Sequence, residues 1–360
     1  MTALRLNGHW KQLLLGLTAL IASVGASPCP CANASWCKPI TNRPPVAEHE
    51  VLAFDPSNSD PQQWLAMDWA KLTTIATFSW PMSSDLYCHA HQHGVRIVHC
   101  IDFDAKLIGN ATARSSWVQG HLDDAQQRGT DGVNVDIEGY HGEKQELNLL
   151  IGELYDKFKA ALPSSQISFD TAIYPIGNGW DSGFDYHFLA QKLDFFLPMA
   201  YDMIDWQRDQ FANSPLRGIQ SGVAQYAKLQ ISPQQIVLGL PWYGYDFPCN
   251  STAGFCHTLG GKQIDYSNLV DLKSAQKGDV WQFDSASASA FFEYVNASGA
   301  RRQVWYDDPI SLSIKYRWAR AKGLRGVAMW TAGSLNATAQ PEETANMWRA
   351  MGAYTDGPQY

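Results

Sequence analysis

One short apolar segment, DGVNVDIEGY at 131–140, carries polar side chains at every second position and ends its row on an acid. Asn134, Asp136 and Glu138 share one face of a strand, while Val135 and Ile137 lie on the other, because side chains alternate along a strand. Burying carboxylates costs free energy unless they share protons or hydrogen bonds. The row therefore indicates acid–base chemistry if both faces of the strand are buried, and an ordinary solvated face if one side meets water.

The elements around this segment decide between the two. Apolar, β-branched runs predict eight strands, at 51–55, 72–78, 95–101, 133–138, 167–172, 195–202, 236–245 and 325–330. Most gaps hold helix-like segments, such as 143–162 and 310–323, the second of which closes on a glycine suited to a helix C-terminus. This alternation predicts an α/β fold, a (β/α)8 TIM barrel, rather than a doubly wound sheet. The gap at about 246–303, between strands seven and eight, predicts a small inserted α+β subdomain.

In a parallel barrel both faces of each strand are buried, because helices cover the outside and side chains fill the inside. The polar face of 131–140 must then point into the barrel. Glu138 falls at the C-terminal end of the fourth strand, where barrel enzymes keep their active sites.

DGVNVDIE resembles the DxxDxDxE signature of glycoside hydrolase family 18, the chitinases and their relatives. PMAYD (198–202) resembles the family's sixth-strand M-x-Y-D, and GVAMW (326–330) resembles its eighth-strand tryptophan. The Cys-Pro-Cys at 29–31, PWYGYDF (241–247) and QVWYDDP (303–309) extend the similarity through most of the chain. Several motifs, in order and on matching strands, make the resemblance specific.

The resemblance implies hydrolysis of β-linked N-acetylglucosamine (GlcNAc) by substrate assistance, in which the acetamido oxygen attacks the anomeric carbon. The expected substrate is GlcNAc-β1,4-GlcNAc, the chitobiose core of N-glycans and of chito-oligosaccharides, cleaved from the reducing end with retention. An endo-chitinase of the same family remains open as an alternative. So does a non-catalytic chitin- or glycan-binding lectin, although such relatives typically lack the terminal Glu. No cofactor is expected.

The same resemblance implies a role for each matching residue. Glu138 would be the proton donor, and burial and neighbouring charge should raise its pKa. Asp136 would orient the acetamido N–H and stabilise the oxazolinium, and Tyr201 would donate to the acetamido oxygen. Asp202 would support the sugar or the acid, and Trp330 would form an apolar floor under the pyranose.

Asn134 departs from the family pattern, which usually has Asp there. An amide can donate a hydrogen bond but cannot titrate, so a pH profile taken from other chitinases does not transfer. Asn134 stays a candidate substrate-binding residue, whereas Asp131 is expected to hold backbone.

Other residues are weaker candidates. Asp102 follows the third strand and Asp170 lies on the fifth, where barrel residues can reach the site. The alternative for each is a buried acid with a purely structural role. Trp242 and Trp305 lie in the resembling segments and are candidate sugar contacts, although barrel tryptophans usually fill the core.

HAHQH (89–93) could be interpreted as a metal-binding site, since two of its histidines could share a helix face. It precedes Gly94 and the third strand, so it is better explained as the end of a helix, where His suits the dipole. We predict no metal site, and place CPC…C outside zinc-finger patterns because it lacks a second cluster.

The first 26 residues have the layout of a secretory signal peptide: Arg5 and Lys11 precede an apolar run that ends in small residues. Without them the chain has 25 basic and 35 acidic residues, a balance that argues against nucleic acid and anionic membranes as partners. We expect a Cys-containing segment at 27–46, the barrel at 47–352 and a loose tail at 353–360. The signal peptide predicts entry into the secretory pathway, and the resemblance implies a monomer of the lysosome or, alternatively, a secreted one.

The secretory route also bears on modification. Seven cysteines cannot all pair within the chain, and Cys249–Cys256 is the best single disulfide candidate. Five N-x-S/T sequons predict N-glycosylation, at Asn33, Asn110, Asn250, Asn296 and Asn336.

Overall fold

The computed structural model describes residues 29–41, 49–54, 60–78, 82–177, 179–204, 211–249, 256, 260–278 and 280–356. The predicted signal peptide (1–26), the sequon at Asn250 and the end of the predicted tail (357–360) lie outside these residues.

Eight parallel strands close into a barrel, which confirms the predicted (β/α)8 fold. They are β1 (Glu50–Phe54), β2 (Thr74–Thr77), β3 (Arg96–Ile101), β4 (Gly132–Val135), β5 (Gln166–Ala172), β6 (Phe195–Met199), β7 (Val237–Pro241) and β13 (Gly326–Trp330). Around the barrel the order is β1-β13-β7-β6-β5-β4-β3-β2. Strand β13 therefore lies opposite β4, four strands away in either direction.

Helices connect and surround these strands. They are α1 (Pro61–Leu65), α2 (Ser84–Gln92), α3 (Ala111–Arg128), α4 (Lys144–Ala161), α5 (Tyr186–Leu189), α6 (Leu216–Lys228), α7 (Tyr266–Ser274), α8 (Pro309–Ala321), α9 (Pro341–Ala350) and α10 (Gly352–Thr355). The predicted helices at 143–162 and 310–323 are α4 and α8. Gly323 follows α8 with a φ of 65°, the left-handed conformation that favours glycine after a helix. No helix among the described residues is long and apolar enough to span a membrane.

The described residues of the insertion form a five-stranded antiparallel sheet with one helix, α7. Its strands are β8 (Tyr243–Pro248), β9 (Lys262–Asp265), β10 (Gln282–Asp284), β11 (Ser289–Val295) and β12 (Arg301–Tyr306), in the order β10-β11-β12-β8-β9. The apolar run 236–245 was predicted as one strand and is two: β7 ends at Pro241, and the chain then enters the inserted sheet. The subdomain is therefore slightly wider than predicted, from Tyr243 to Tyr306.

Apolar side chains fill the barrel interior, as the pattern of strands with two buried faces requires. The interior cluster includes Leu52, Phe54, Val98, Cys100 and Leu197, with Trp330 packed against it. A separate, larger cluster lies between the strands and the helices.

The cysteines fix the N-terminal segment to the barrel. Cys29 pairs with Cys37, and Cys31 pairs with Cys88 in α2. The predicted Cys249–Cys256 disulfide is confirmed, and Cys100 is the free, buried seventh cysteine. At the other end, the prediction of a loose tail from 353 is wrong for its first residues, because α10 covers them and buries Tyr354 completely.

Candidate active site

The polar row of 131–140 enters the barrel as predicted. Asn134 is 0% exposed and lies beside Cys100 of β3, inside the barrel. The strand ends at Val135, but the Asp136 amide still donates to the Ile101 carbonyl at 2.8 Å, which continues the parallel pairing past the strand end. Asp136 is half-buried, and Glu138 is exposed at the mouth of the barrel.

Asn134 holds an acid of the next strand. Its Nδ2 donates to Asp170 Oδ1 at 2.9 Å and to Ser168 Oγ at 3.0 Å. Asp170 and Ser168 are buried on β5. Both amide hydrogens of Asn134 are thus used inside the barrel, and we expect it to reach a substrate only through Asp170 and Asp136.

The acids in this row favour their protonated forms. Burial, followed by the charges of Glu138 and Asp102, raises the pKa of Asp136 to about 7. Burial and the charge of Asp136 raise the pKa of Asp170 well above its usual range, against the opposing effect of the Asn134 hydrogen bond. At acidic pH the row therefore shares protons rather than carrying one charge per carboxyl.

Glu138 combines solvent access with a raised pKa. Partial burial of its carboxyl raises this pKa first, and the charges of Asp181 and Asp202 raise it further. Asp181 is fixed by hydrogen bonds from the Ala172 amide (2.9 Å) and the Tyr186 hydroxyl (2.8 Å). A reachable carboxyl that keeps its proton is what a general acid needs.

Tyr201 and Asp202 follow β6 and face the same acids. Burial, then the charges of Asp170 and Asp136, raises the pKa of Tyr201 well above its usual value, so its hydroxyl remains a donor. Asp202 has a φ of 55°, and its amide donates to Asn213 Oδ1 at 2.7 Å. Its Oδ1 accepts hydrogen bonds from the hydroxyls of two tyrosines of β8, Tyr243 and Tyr245. Asp202 thus joins the inserted sheet to the barrel mouth.

Trp330 ends β13, across the barrel from Glu138. Its ring packs against Phe54 at 5.1 Å, Phe78 at 5.6 Å and Tyr201 at 6.3 Å between centroids, the last nearly parallel. The indole is half-buried, with one side in this aromatic cluster. Trp330 thus lies next to Tyr201 at the mouth of the barrel. Its role as a floor under a sugar stays a prediction.

Two other tryptophans were wrongly predicted to contact substrate. Trp242 is 0% exposed, donates from Nε1 to the Tyr316 hydroxyl at 3.0 Å and packs on Trp348. Trp305 is 3% exposed and stacks on Phe291 at 4.5 Å inside the inserted sheet. Both indoles fill cores, so neither offers a face to a sugar.

Asp102 is exposed just after β3, and its charge contributes to the raised pKa of Asp136. It lies near the acid row but outside the buried part. Whether it contacts substrate stays a prediction.

The first signature acid, Asp131, is structural. It is 1% exposed and accepts from the Ile40 amide at 2.6 Å, the Ile97 amide at 2.7 Å and His91 Nε2 at 2.8 Å. His91, in HAHQH, also bonds the Trp36 carbonyl through Nδ1 at 2.7 Å. The middle histidine therefore fastens the N-terminal segment to the barrel. His89 and His93 pack at the end of α2 against Trp69, as a helix end explains.

The sequons inside the described residues lie in caps and turns at the surface. Asn33 and Asn110 are exposed helix caps, while Asn296 and Asn336 are half-buried and accept backbone hydrogen bonds in turns. Glycan occupancy stays a prediction.

Sequence reasoning missed Asp181, Tyr243 and Tyr245 and gave Asp170 only a weak role. Tyr243 and Tyr245 are two apart on β8, so one face of that strand carries both hydroxyls to Asp202. That period-two pattern was a usable signal in PWYGYDF. Asp181 had none, because its position depends on the path of a loop.

The comparisons with known proteins bear on this geometry. The model of the family described as Glycosyl hydrolases family 18 matches residues 102–334, which is more than half of the chain. The chain belongs to this family. As a member of glycosyl hydrolase family 18 it is an enzyme, a glycoside hydrolase.

Two relatives are similar to this family 18 chain over nearly all of it. Di-N-acetylchitobiase of Mus musculus is 32% identical, over 94% of this chain and 97% of the relative. Di-N-acetylchitobiase of Homo sapiens is 31% identical, over 90% of this chain and 88% of the relative.

Solved structures share the fold. The chitinase of Chromobacterium violaceum is 18% identical with a TM-score of 0.72, covering 86% of this chain and 100% of that one. A family 18 chitinase of Cycas revoluta in complex with (GlcNAc)4 is 17% identical with a TM-score of 0.71, with the same coverage. At these identities the likeness concerns the barrel alone.

Proposed function

We propose that this glycoside hydrolase cleaves GlcNAc-β1,4-GlcNAc with retention, by substrate-assisted catalysis. The observation that carries the proposal is Glu138, a solvent-accessible carboxyl with a raised pKa, beside Asp136 and within the electrostatic reach of Tyr201. The naming of the mouse and human relatives as di-N-acetylchitobiases, with coverage of nearly the whole chain, supports the substrate.

In the first step the acetamido oxygen of the substrate attacks the anomeric carbon and the glycosidic C–O bond breaks. Glu138 gives its proton to the departing oxygen, which leaves as the hydroxyl of the second sugar. The product on the first sugar is a positively charged oxazolinium. Water then attacks the anomeric carbon while the Glu138 carboxylate takes its proton, which restores the acid and retains the β configuration.

The neighbours of Glu138 stabilise the charge that develops. Asp136 accepts a hydrogen bond from the acetamido N–H through a carboxyl oxygen, which it can do with or without its own proton, and so stabilises the oxazolinium. Tyr201, whose raised pKa keeps its proton in place, donates to the acetamido oxygen and orients it. Trp330 lies under the apolar face of the same sugar, whose C–H groups stack on the indole.

The proposal extends to direction and place. Cleavage from the reducing end would suit the chitobiose left by degraded N-glycans, and the lysosome is where such fragments would meet the enzyme. The raised pKa values of Glu138 and Asp136 support work at acidic pH, where Glu138 holds its proton.

The experiment is product analysis on (GlcNAc)2 to (GlcNAc)5, each offered with a free and with a borohydride-reduced end. We expect hydrolysis of (GlcNAc)2 and release of single GlcNAc units, lost when the end is reduced. Proton NMR at early times should show the β-anomer of the newly formed end. Cleavage of inner bonds irrespective of reduction would favour the endo-chitinase, and binding without cleavage would favour the lectin.

A further inference from the structure

An exposed tryptophan lies beside the catalytic acid and outside the family motifs. Of the tryptophans that the structure describes, Trp180 alone is exposed, at 49% of its surface. It belongs to the connection between β5 and α5. Single exposed apolar side chains are common, but an exposed indole next to the residue that follows Glu138 can offer a flat apolar face to a sugar.

The indole covers the residue that follows Glu138. A Cβ added to Gly139 would lie 3.7 Å from both Cε2 and Cζ2 of Trp180. Gly139 has a φ of 63°, so the chain turns sharply just after the acid and passes beneath the indole. The Trp180 ring therefore lies against the turn that directly follows Glu138.

The connection carrying Trp180 is fastened to the segment carrying Glu138. The Gly183 amide donates to the Tyr140 carbonyl at 3.0 Å, and His141 Nδ1 lies 3.1 Å from Ser182 Oγ. The next residue after the indole, Asp181, is buried and bonded to the end of β5. Trp180 is thus held in place by contacts on its C-terminal side, as a platform must be.

The two tryptophans of the mouth, Trp330 and Trp180, follow strands at different distances from β4. Trp330 ends β13, which is across the barrel from β4, whereas Trp180 follows β5, the neighbour of β4. A disaccharide with its first sugar on Trp330 and its linking oxygen at Glu138 extends its second sugar past β4, away from Trp330. On the β5 side of β4, the exposed indole of Trp180 would meet that sugar.

We propose that Trp180 is the stacking platform for the sugar on the leaving-group side of the cleaved bond. The apolar C–H face of that GlcNAc packs on the exposed indole, which positions the glycosidic oxygen at Glu138. The inference rests on the proposed function and adds a binding site to it.

The test compares two substrates that differ in the leaving group. (GlcNAc)2 needs a platform for its second sugar, whereas β-GlcNAc fluoride releases fluoride and needs none. We expect Trp180→Ala to lower kcat/KM for (GlcNAc)2 by roughly tenfold, mainly through KM, and to leave kcat/KM for the fluoride unchanged. Trp180→Phe should restore part of the loss.

Ile176→Ala is the matched control, because Ile176 is exposed at 45% in the same connection. It should change neither substrate, and circular dichroism should show all variants folded. An equal loss on both substrates, or no loss on (GlcNAc)2, would overturn the platform while wild-type hydrolysis of (GlcNAc)2 upholds the proposed function. A wild-type enzyme inert toward (GlcNAc)2 would overturn both.

Discussion

Asn134 Nδ2 donates to Asp170 Oδ1 at 2.9 Å in the interior of the barrel. The family pattern usually has an acid where Asn134 lies, and here the titratable partner of Asp136 is instead on the neighbouring strand. Burial and the charge of Asp136 raise the pKa of Asp170, while Asn134 fixes Asp170 by a hydrogen bond and does not itself titrate. The departure in sequence therefore moves the acid pair rather than removing it.

The raised pKa of Asp136 makes stability depend on pH. Its pKa is about 7 in the folded chain and 3.8 in the absence of the fold, so the folded state binds more protons between these values. Stabilisation by the neutral carboxyl is complete below about pH 4 and is lost as pH rises through 7. Asp136→Asn should therefore match wild type near pH 4 and exceed its free energy of unfolding by up to about 4 kcal/mol at pH 7.5, because each pKa unit of the shift corresponds to about 1.4 kcal/mol.

Urea unfolding at both pH values measures this difference. Asp156→Asn serves as the control. Asp156 is exposed, and its ion pair with Lys192 lies at the surface, where such pairs contribute little to stability. The same variant-minus-wild-type difference at pH 4 and 7.5 would contradict the linkage.

Trp330 and Trp242 should separate binding from stability. Trp330→Ala removes the floor and should lower kcat/KM for (GlcNAc)2 by roughly a hundredfold.

Trp242→Phe breaks the hydrogen bond to Tyr316 in the core and should lower the free energy of unfolding by about 2 kcal/mol, with KM unchanged. Kinetics and thermal unfolding on both variants decide; a raised KM for Trp242→Phe would return that residue to the site.

Asp131→Ala tests the structural role of the first signature acid. Its removal leaves His91 and two backbone amides without their acceptor, so we expect a loss of about 3 kcal/mol or more in the free energy of unfolding. The folded fraction should keep its kcat. Asp124→Ala, which breaks a surface pair with Arg128, should cost under about 1 kcal/mol. A stable but inactive Asp131→Ala enzyme would show that the acid takes part in catalysis.

The sequence predicted the barrel because strands with two buried faces leave a strong pattern, and it predicted the direction of Asn134 and Glu138 because strand alternation leaves no choice. The sequence did not predict the placement of side chains whose positions depend on the path of the chain between strands. Trp242 and Trp305 share the apolar character of Trp330, and only the start of the inserted sheet decides that they are buried. Asp181 and Trp180 lie in a loop, where no periodicity reports direction.

The central claim is that Glu138 donates the proton to the leaving sugar. Its most direct test is Glu138→Gln, assayed for hydrolysis of (GlcNAc)2 and, by calorimetry, for binding of the same ligand. Glu342→Gln, on the exposed start of α9, is the matched control. We predict that Glu138→Gln lowers kcat by at least roughly a thousandfold while Kd stays within a few-fold, and that the control is unchanged. Hydrolysis at the wild-type rate by Glu138→Gln would contradict the account.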